Sequence, residues 1–175
     1  MKNKKLLTGM LATVLSVSML CSNANMLQAQ ETTQASEIAT QTEDEVILND
    51  ETGIPDKNLY QVILADVDSN EDGVLTVSEA QQMYEVFGDG AGIKDLTGLE
   101  HCPNIYCLYL EDNEIEDISV LKHFEKMSDL YLSNNQISDI SVLNSELSPT
   151  CIDLSNNQIT DISSLNHLTD AWYLI

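Results

Sequence analysis

The sequence predicts an α/β solenoid, in which short parallel strands stack behind a helix-loop-helix cap. Apolar residues recur at intervals of 22 over the second half of the chain. An acidic loop between two helical patterns precedes them. An apolar run behind lysines at the amino terminus adds a prediction of export. These features divide the 175 residues into 1–29, 30–53, 54–90 and 91–175.

The charge of the chain excludes one class of partner. The sequence has 29 acidic residues against seven lysines and no arginine, for a formal net charge of −22. A surface of this sign repels phosphate backbones, so we expect no binding to nucleic acid. With 43% hydrophobic and 21% charged residues, the composition is that of a folded, soluble chain. Cations, neutral surfaces and basic proteins remain as partners.

Residues 1–29 are organised like a secretory signal peptide. Lys2, Lys4 and Lys5 precede an apolar run at 6–20, and small residues lead to a cleavage site after position 29. A retained membrane anchor is the alternative, but the run is shorter than the ~20 apolar residues that a spanning helix needs. The prediction is a secreted or cell-surface protein with no membrane span after cleavage.

Residues 30–53 are predicted to be a flexible spacer. They are rich in Thr, Gln and Glu and contain few large apolar side chains. Such a segment gains little from burial to offset the entropy lost on ordering. The folded part is therefore expected to begin near Ile54.

The twelve residues 68–79 match the spacing D-x-[DN]-x-[DN]-G-x5-E at every constrained position. Ca²⁺ takes about six to eight oxygen ligands, which alternate residues of a tight loop supply while Gly73 permits the sharp bend. Val74 would contribute its carbonyl oxygen, Thr76 a water-mediated contact and Glu79 both carboxylate oxygens. The expected Ca²⁺ ligands are Asp68, Asn70, Asp72, Val74, Thr76 and Glu79.

Helical spacing of apolar residues on both sides gives this loop the context it requires. A first helix is predicted to open at Pro55 and continue to Val67, and a second is predicted from Thr76 to Phe87. The alternative is an acidic turn without metal, in which Thr76 and Glu79 form a helix capping box. The two arrangements compete because both need the Glu79 carboxylate.

The second half of the chain repeats the pattern L-x-x-L-x-L-x-x-N-x-L, which is that of a leucine-rich repeat. Strand leucines are expected to point inward, and the asparagines to hydrogen-bond backbone groups at the bend after each strand. A half repeat at residues 93–99 precedes three repeats, and a truncated fourth begins at Trp172. That ending predicts either a shortened product or an edge that a partner covers. The aligned positions are Leu108, Leu110 and Asn113, then Leu130, Leu132 and Asn135, then Ile152, Leu154 and Asn157.

A second series of residues recurs at the same interval on the return side of each repeat. Aspartates paired with Thr or Ser two positions later suit caps of short helical turns. A row of metal sites is the weaker alternative, because each carboxylate lacks neighbouring ligands. The aspartates are Asp95, Asp117, Asp139 and Asp161.

The strand residues between the inward leucines form a candidate partner-binding face, predicted to be concave. Tyr109 and Tyr131 are expected to be about 5 Å apart on adjacent strands. Stacked exposed aromatic rings suit protein or glycan contacts, although tyrosine is also tolerated on strand surfaces without any partner. The candidate partner-binding residues are Tyr109, Glu111, Asp129, Tyr131, Asp153 and Tyr173.

The cysteines and the absence of catalytic motifs indicate a chain that is not an enzyme. Cys107 and Cys151 are expected to be two strands, or about 10 Å, apart, which is too far for a disulfide. Cys102 is predicted to be a buried small side chain. The sequence contains no G-x-S-x-G, H-E-x-x-H or P-loop motif.

Residues 130–140 (LYLSNNQISDI) and 153–162 (DLSNNQITDI), with the loop 68–79 before them, carry a resemblance to a known family. From Ile54 to Ile175 the chain resembles the exported leucine-rich repeat proteins of Gram-positive bacteria, including the internalins. The resemblance implies 22-residue repeats behind an EF-hand-like cap, and an adhesin or protein-binding module acting through the concave face. The chain departs from that family in having no sortase-type L-P-x-T-G signal.

Two functional hypotheses follow. The first is a secreted leucine-rich repeat protein that binds a protein or glycan on its concave face and is stabilised by Ca²⁺ in the cap. The second is a dockerin-like, calcium-dependent assembly module in which the loop and its helix are themselves the docking element. Dockerins carry the loop-helix unit twice, whereas this sequence has it once.

Overall fold

The computed structural model describes residues 44–144, 147, 149–168 and 173–174, the last two by their backbone alone. The predicted signal peptide, residues 1–29, and most of the predicted spacer lie outside this part of the chain. Within the described residues, two α-helices and five strands follow one another in the order α1, α2 and β1 to β5. The bounds are α1 Lys57–Val67, α2 Val77–Ala80, β1 Glu85–Phe87, β2 Cys107–Tyr109, β3 Asp129–Tyr131, β4 Cys151–Asp153 and β5 Tyr173–Leu174.

Helix α1 forms where the sequence predicts the first helix. Asp56 is its N-cap, and its side chain accepts hydrogen bonds from the backbone N–H groups of Asn58 and Leu59. Leu59 and Ile63 lie on the buried face, together with Tyr60 and Val67, at the i, i+4 spacing of one helical side. This face packs into the common core, which fixes α1 against the strands that follow.

The predicted second helix is wrong beyond its first turn. Helix α2 ends at Ala80, and residues 85–87 form strand β1 instead. Val86 pairs with Leu108 of β2. This apolar residue fits a strand as well as the helical spacing from which the second helix is predicted. Pairing with β2 satisfies the backbone groups of 85–87, and local propensity is too weak to oppose it. The predicted half repeat at 93–99 is therefore preceded by a strand of its own.

The five strands form one parallel sheet in sequential order. Paired residues of neighbouring strands lie 22 positions apart in the sequence, as Glu85 pairs with Cys107 and Cys107 with Asp129. The middle residue of each of the first four strands is buried and its two neighbours point outward, as the alternation of a strand requires. The buried middle residues are Val86, Leu108, Leu130 and Ile152.

The asparagine ladder predicted at the bends is confirmed. Asn135 accepts a hydrogen bond from Ile115 N and donates to the carbonyl oxygens of Leu110 and Leu132. Asn113 and Asn157 make equivalent bonds one repeat before and after. Each amide links a strand to the preceding coil and satisfies backbone groups that would otherwise be buried without a partner.

The aspartates on the return side form local turns and do not occupy the predicted cap positions of the short helices. Asp117 Oδ1 accepts a hydrogen bond from Ser119 N at 2.7 Å, and Asp139 and Asp161 make the same bond to the serines two positions later. Two of these turns lead into short 3-10 helices at Ser119–His123 and Ser163–His167. The carboxylates thus order the turn just before each 3-10 helix, whereas the N-cap residues Ile118 and Ile162 make no side-chain cap hydrogen bond.

Residues 44–53 belong to the folded unit and do not form the flexible spacer predicted for them. Ile47 is buried, and its N–H donates to Leu75 O at 2.8 Å. Val77 N donates to Glu45 O at 2.8 Å, so the segment pairs antiparallel with the end of the loop 68–79. One buried apolar residue and two backbone hydrogen bonds hold the segment, although its composition is polar.

The core is continuous from the cap into the repeats. Ile54, Leu59 and Leu75 of the cap belong to the same buried cluster as the inward leucines of the sheet. Such a continuous core makes each coil the cover of the next. In the part of the chain that the structure describes, no helix has the length and apolar character needed to cross a bilayer.

Candidate functional site

The outward residues of the strands bring three aromatic rings into one stack. The ring centroids of Phe87 and Tyr109 are 4.9 Å apart with 6° between the planes. Those of Tyr109 and Tyr131 are 5.2 Å apart with 9° between the planes. Phe87 is 63% exposed at one end of the stack. The sheet therefore presents a strip of aromatic edges and hydroxyls at its surface, which we call the aromatic strip.

Acidic and thiol groups line the row beside the aromatic strip. The outward first residues of the strands are Glu85, Cys107, Asp129 and Cys151. Cys107 Sγ donates to Asp129 Oδ2 at 3.2 Å. Neither this row nor the strip contains a basic residue between β1 and β4. The exposed sheet face thus combines aromatic edges with negative charge.

The carboxylates of this face alter the acid-base behaviour of their neighbours. Burial raises the pKa of the Cys107 thiol to about 12, with further contributions from its hydrogen bond to Asp129 and from that carboxylate's charge. A hydrogen bond to Asp129 is the main cause of the raised pKa of Cys151. The pKa of Tyr109 is raised by desolvation and then by the charges of Cys107, Asp129 and Glu85. These groups stay protonated at neutral pH and act as hydrogen-bond donors.

Most of the predicted partner-binding residues lie on this face. Tyr109, Tyr131 and Asp153 follow one another in one row, and Asp129 lies in the row beside it. Glu111 lies just after β2, where its carboxylate accepts a 2.6 Å hydrogen bond from Ser133 Oγ. The backbone of Tyr173 pairs with Cys151, and its side chain lies outside the described part of the chain.

Two residues of the face were missed by the sequence analysis, which assigned them to a helix. Phe87 extends the aromatic strip by one ring, and Glu85 adds a carboxylate to the row beside it. Extending the 22-residue spacing one step backward from Cys107 and Tyr109 would have identified both positions. The signal was hidden because Ala91 occupies the place of the repeat asparagine.

The loop 68–79 has its side-chain oxygens turned toward its own backbone. Asp68 Oδ2 accepts from Gly73 N at 2.9 Å, and Asn70 Oδ1 accepts from Asp72 N at 2.8 Å. Asp72 Oδ1 accepts from Val74 N at 2.8 Å. Gly73 has a φ of 74°, which permits the bend. Leu75 is buried, as predicted for the loop residue that points into the core.

Glu79 lies in the capping box that competes with calcium. Its Oε2 accepts from Thr76 N at 3.0 Å and from Thr76 Oγ1 at 2.8 Å, while Glu79 N donates back to Thr76 Oγ1. Within the described residues, no three His, Cys, Asp or Glu side chains lie close enough together to hold a metal. The carboxylate, amide and carbonyl oxygens of the loop are nevertheless the donor types that Ca²⁺ prefers. The residues fit Ca²⁺ once Glu79 leaves the cap.

Comparisons with known proteins identify the fold. No protein-family model matches the chain, and no curated protein sequence matches it. Among solved structures, an internalin (inlF) from Listeria monocytogenes is 32% identical with a TM-score of 0.59, and the match covers 66% of this chain. An internalin C2 (inlC2) from the same organism is 28% identical with a TM-score of 0.53, over 69% of this chain. The fold is therefore an internalin-like leucine-rich repeat solenoid.

The chain spans only part of the length of these neighbours. The match covers 34% of the first internalin and 63% of the second. The likeness to two internalins agrees with the prediction of a non-enzymatic chain. The likeness supports a binding module built on a leucine-rich repeat sheet.

Proposed function

We propose that this protein is an exported binding module whose exposed sheet face captures a basic segment of a protein partner, while the loop 68–79 holds Ca²⁺ and stabilises the cap. The observation that carries the proposal is the aromatic strip of Phe87, Tyr109 and Tyr131 beside a row of carboxylates. Protein interfaces often use aromatic residues as anchors at their desolvated centre, with charged residues around them.

The stacking geometry favours a protein partner over a glycan on this face. Both faces of the Tyr109 ring are covered by its neighbours, because the planes are nearly parallel and about 5 Å apart. Sugars pack their C–H groups on uncovered, electron-rich ring faces, whereas the edges and hydroxyls exposed here suit polar and apolar protein side chains. The strip therefore offers a contact surface for a polypeptide.

The charge of the face supports a basic partner. Glu85, Asp129 and Asp153 are acidic outward residues of the strands, and the whole chain has a formal charge of −22. Opposite charge steers association and suppresses binding of acidic proteins. A lysine- or arginine-rich segment could pair with these carboxylates while its apolar stems cover the aromatic edges.

Calcium would act in this proposal as a structural ion. The loop oxygens of Asp68, Asn70 and Asp72, with the Val74 carbonyl, match the positions that ligate Ca²⁺ in such loops. Bidentate ligation by Glu79 would replace its hydrogen bonds to Thr76. Because Leu75 and Ile47 connect this loop to the core, an ordered ion would stiffen the end that covers the first repeat.

Export and surface location rest on the amino-terminal residues. The amino terminus has the order of a secretory signal, with Lys2, Lys4 and Lys5 ahead of an apolar run, and this supports secretion. The internalin-like fold supports a Gram-positive bacterium as the source. Cleavage can be checked by sequencing the amino terminus of protein recovered from the culture medium.

The experiment that tests the proposed function is partner capture with matched variants. The immobilised protein is incubated with host-surface and cell-wall protein extracts, and the captured proteins are identified by mass spectrometry. We expect a basic partner that is lost with Tyr109→Ala combined with Tyr131→Ala, and released by raising the salt concentration. Ile162→Ala, which changes an exposed apolar residue outside the strip, is the control and should leave capture intact.

Two results would contradict the proposal. Capture that persists in the double tyrosine variant would place the partner elsewhere. Capture that persists in the double tyrosine variant but is lost in Glu79→Gln would favour the calcium loop and its helix as the docking element, as in the dockerin-like alternative.

A further inference from the structure

An open cleft of about 640 Å³ lies beside the amino-terminal ends of β1 and β2, and none of its lining residues belongs to the aromatic strip. It is lined by Tyr84, the segment 103–106 and the residues His123, Glu125 and Lys126. Its volume lies within the range of about 300–1,000 Å³ that is usual for small-ligand sites. The proposed protein-binding function makes no use of these residues.

Two tyrosines form the walls of the cleft. Tyr84 is 51% and Tyr106 is 40% exposed. Their ring centroids are 6.5 Å apart, and the planes are tilted by 50°. This tilt differs from the near-parallel stack of the aromatic strip, in which the central ring has both faces covered. Tyr84 is thus half exposed and has no parallel stacking neighbour in the cleft, so its ring can offer an electron-rich surface to polarised C–H groups.

The walls of the cleft are held in position by the surrounding structure. Tyr106 Oη donates to Glu85 Oε1 at 2.8 Å, and Tyr106 N donates to Tyr84 O at 2.9 Å. Asn104 Nδ2 donates to Gln81 O at 2.7 Å, which leaves the Asn104 amide oxygen as an acceptor. Ile105 is buried beneath them. Such anchoring reduces the ordering cost of binding.

The polar groups at the rim balance one another. Lys126 supplies hydrogen-bond donors, Glu125 supplies acceptors, and Asn104 adds an amide oxygen. One cationic and one anionic side chain give the rim little net preference for a charged ligand. The formal charge of −22 on the chain also disfavours polyanions such as acidic glycans and acidic peptides. A neutral ligand rich in hydroxyl groups matches this mixture.

We infer that this cleft is a binding site for a neutral saccharide unit. One sugar ring packs its C–H face on the Tyr84 ring, and its hydroxyls bond to Lys126, Glu125 and the Asn104 amide oxygen. The site is separate from the aromatic strip, so the protein has one surface for a polypeptide and a second for a sugar.

The test uses the full purified chain and saturation-transfer NMR with four neutral disaccharides: maltose, lactose, mannobiose and N,N′-diacetylchitobiose. A glucuronate-containing disaccharide and a hexaglutamate peptide serve as anionic probes. We expect saturation of the ring C–H protons of at least one neutral disaccharide, with a Kd on the order of 1 mM. The anionic probes should bind more weakly.

Matched variants locate the site. Tyr84→Ala should weaken binding by about tenfold or more, because it removes the half-exposed ring. Tyr84→Phe keeps the ring and should stay within about threefold of the parent. Tyr131→Ala, on the aromatic strip, should bind the sugar like the parent chain.

Three outcomes would overturn the inference. They are the failure of all four neutral disaccharides at about 10 mM, roughly ten times the expected Kd; binding unchanged by Tyr84→Ala; and binding of the hexaglutamate peptide alone. Circular dichroism of Tyr84→Ala checks that the variant is folded, and the response of Tyr84→Phe decides the question if it is not. Loss of partner capture on the aromatic strip leaves this result unaffected.

Discussion

The Asp56 carboxylate accepts a hydrogen bond from the backbone N–H of Lys94 at 2.8 Å, and this bond joins helix α1 to the first return segment of the repeats. The same oxygen accepts from Asp95 N at 3.1 Å. The other oxygen caps α1 through Asn58 N and Leu59 N. The Asp56 side chain therefore caps the amino-terminal end of α1 and also bonds to a segment 38 residues further along the chain.

Asp56→Ala should lower the free energy of unfolding by about 1–2 kcal/mol, the usual cost of losing a helix N-cap of this kind. The loss should be cooperative, because cap and repeats share one core. Urea unfolding measured by circular dichroism gives the value. Asp139→Ala is the control, since that exposed carboxylate orders a local turn through Ser141 and joins no distant segment, and it should lower stability by a smaller amount. Equal losses in both variants would contradict a special role for Asp56.

The stabilisation by Asp56 should disappear in acid. Burial opposes ionisation of this carboxyl, but hydrogen bonds from Lys94, Leu59, Asp95 and Asn58 outweigh it and lower the pKa below the ordinary 3.8. A carboxyl whose pKa is lowered on folding stabilises the fold fully above its unfolded pKa, and the effect is lost as pH falls through the folded pKa. The stability difference between the parent and Asp56→Asn should thus be constant above pH 5 and shrink below about pH 3.8. Unfolding curves from pH 6 to pH 2.5 measure it.

Gly98→Ala should lower the free energy of unfolding by about 2–5 kcal/mol, combining backbone strain and overpacking. The φ of Gly98 is 91°, and an added Cβ would meet Gly53 O and the Ile54 side chain and backbone. The contact lies where the segment 44–54 packs on the first repeat. Thermal and chemical unfolding of the variant give the loss.

Gly90→Ala is the matched control for that substitution. Gly90 also has a positive φ, 63°, but an added Cβ there meets nothing within 4 Å. Only the backbone strain remains, so the expected loss is about 1 kcal/mol. Equal losses at the two glycines would mean that the close approach to Gly53 contributes nothing.

Calcium should raise the melting temperature of the protein by several degrees relative to a chelator, if binding stabilises the folded state as proposed. Glu79→Gln should abolish this response while leaving the stability in chelator nearly unchanged, because glutamine can replace glutamate in a capping box. Differential scanning calorimetry with and without Ca²⁺ measures both quantities.

Glu71→Gln is the control for the Glu79→Gln experiment. It removes the same charge from the same loop, at a position that is not expected to ligate Ca²⁺. It should respond to Ca²⁺ almost like the parent. A parent protein whose melting temperature ignores Ca²⁺, or a Glu79→Gln variant that responds in full, would be evidence against the site.

Asp129→Asn should speed alkylation of Cys151 by roughly threefold to tenfold at pH 8, because the reactive species is the thiolate. The hydrogen bond and then the charge of Asp129 hold the pKa of Cys151 above its ordinary value. Iodoacetamide labelling followed by peptide mapping measures the rate. Asp153→Asn, the same charge change two residues from Cys151, should have little effect. An unchanged rate in Asp129→Asn would contradict the assigned cause.

Much of the proposed binding face could be predicted from the sequence. The spacing of 22 residues assigns Tyr109 and Tyr131 to neighbouring strands because identical turns repeat the same geometry. Asn113, Asn135 and Asn157 could be assigned to the bends for the same reason. Phe87 was missed, because Met83 and Val86 before it fit a helix as well as a strand and the first coil lacks the repeat asparagine.

The sequence by itself determined the 22-residue spacing of β2 to β4, their inward residues and the asparagine ladder, since each depends only on a repeated local pattern. The tertiary structure alone decided that residues 85–87 form a strand, that 44–53 pair with the loop, and that Glu79 caps α2. A three-residue strand or a polar segment has too little local preference to choose its own conformation. Backbone partners distant in sequence make that choice.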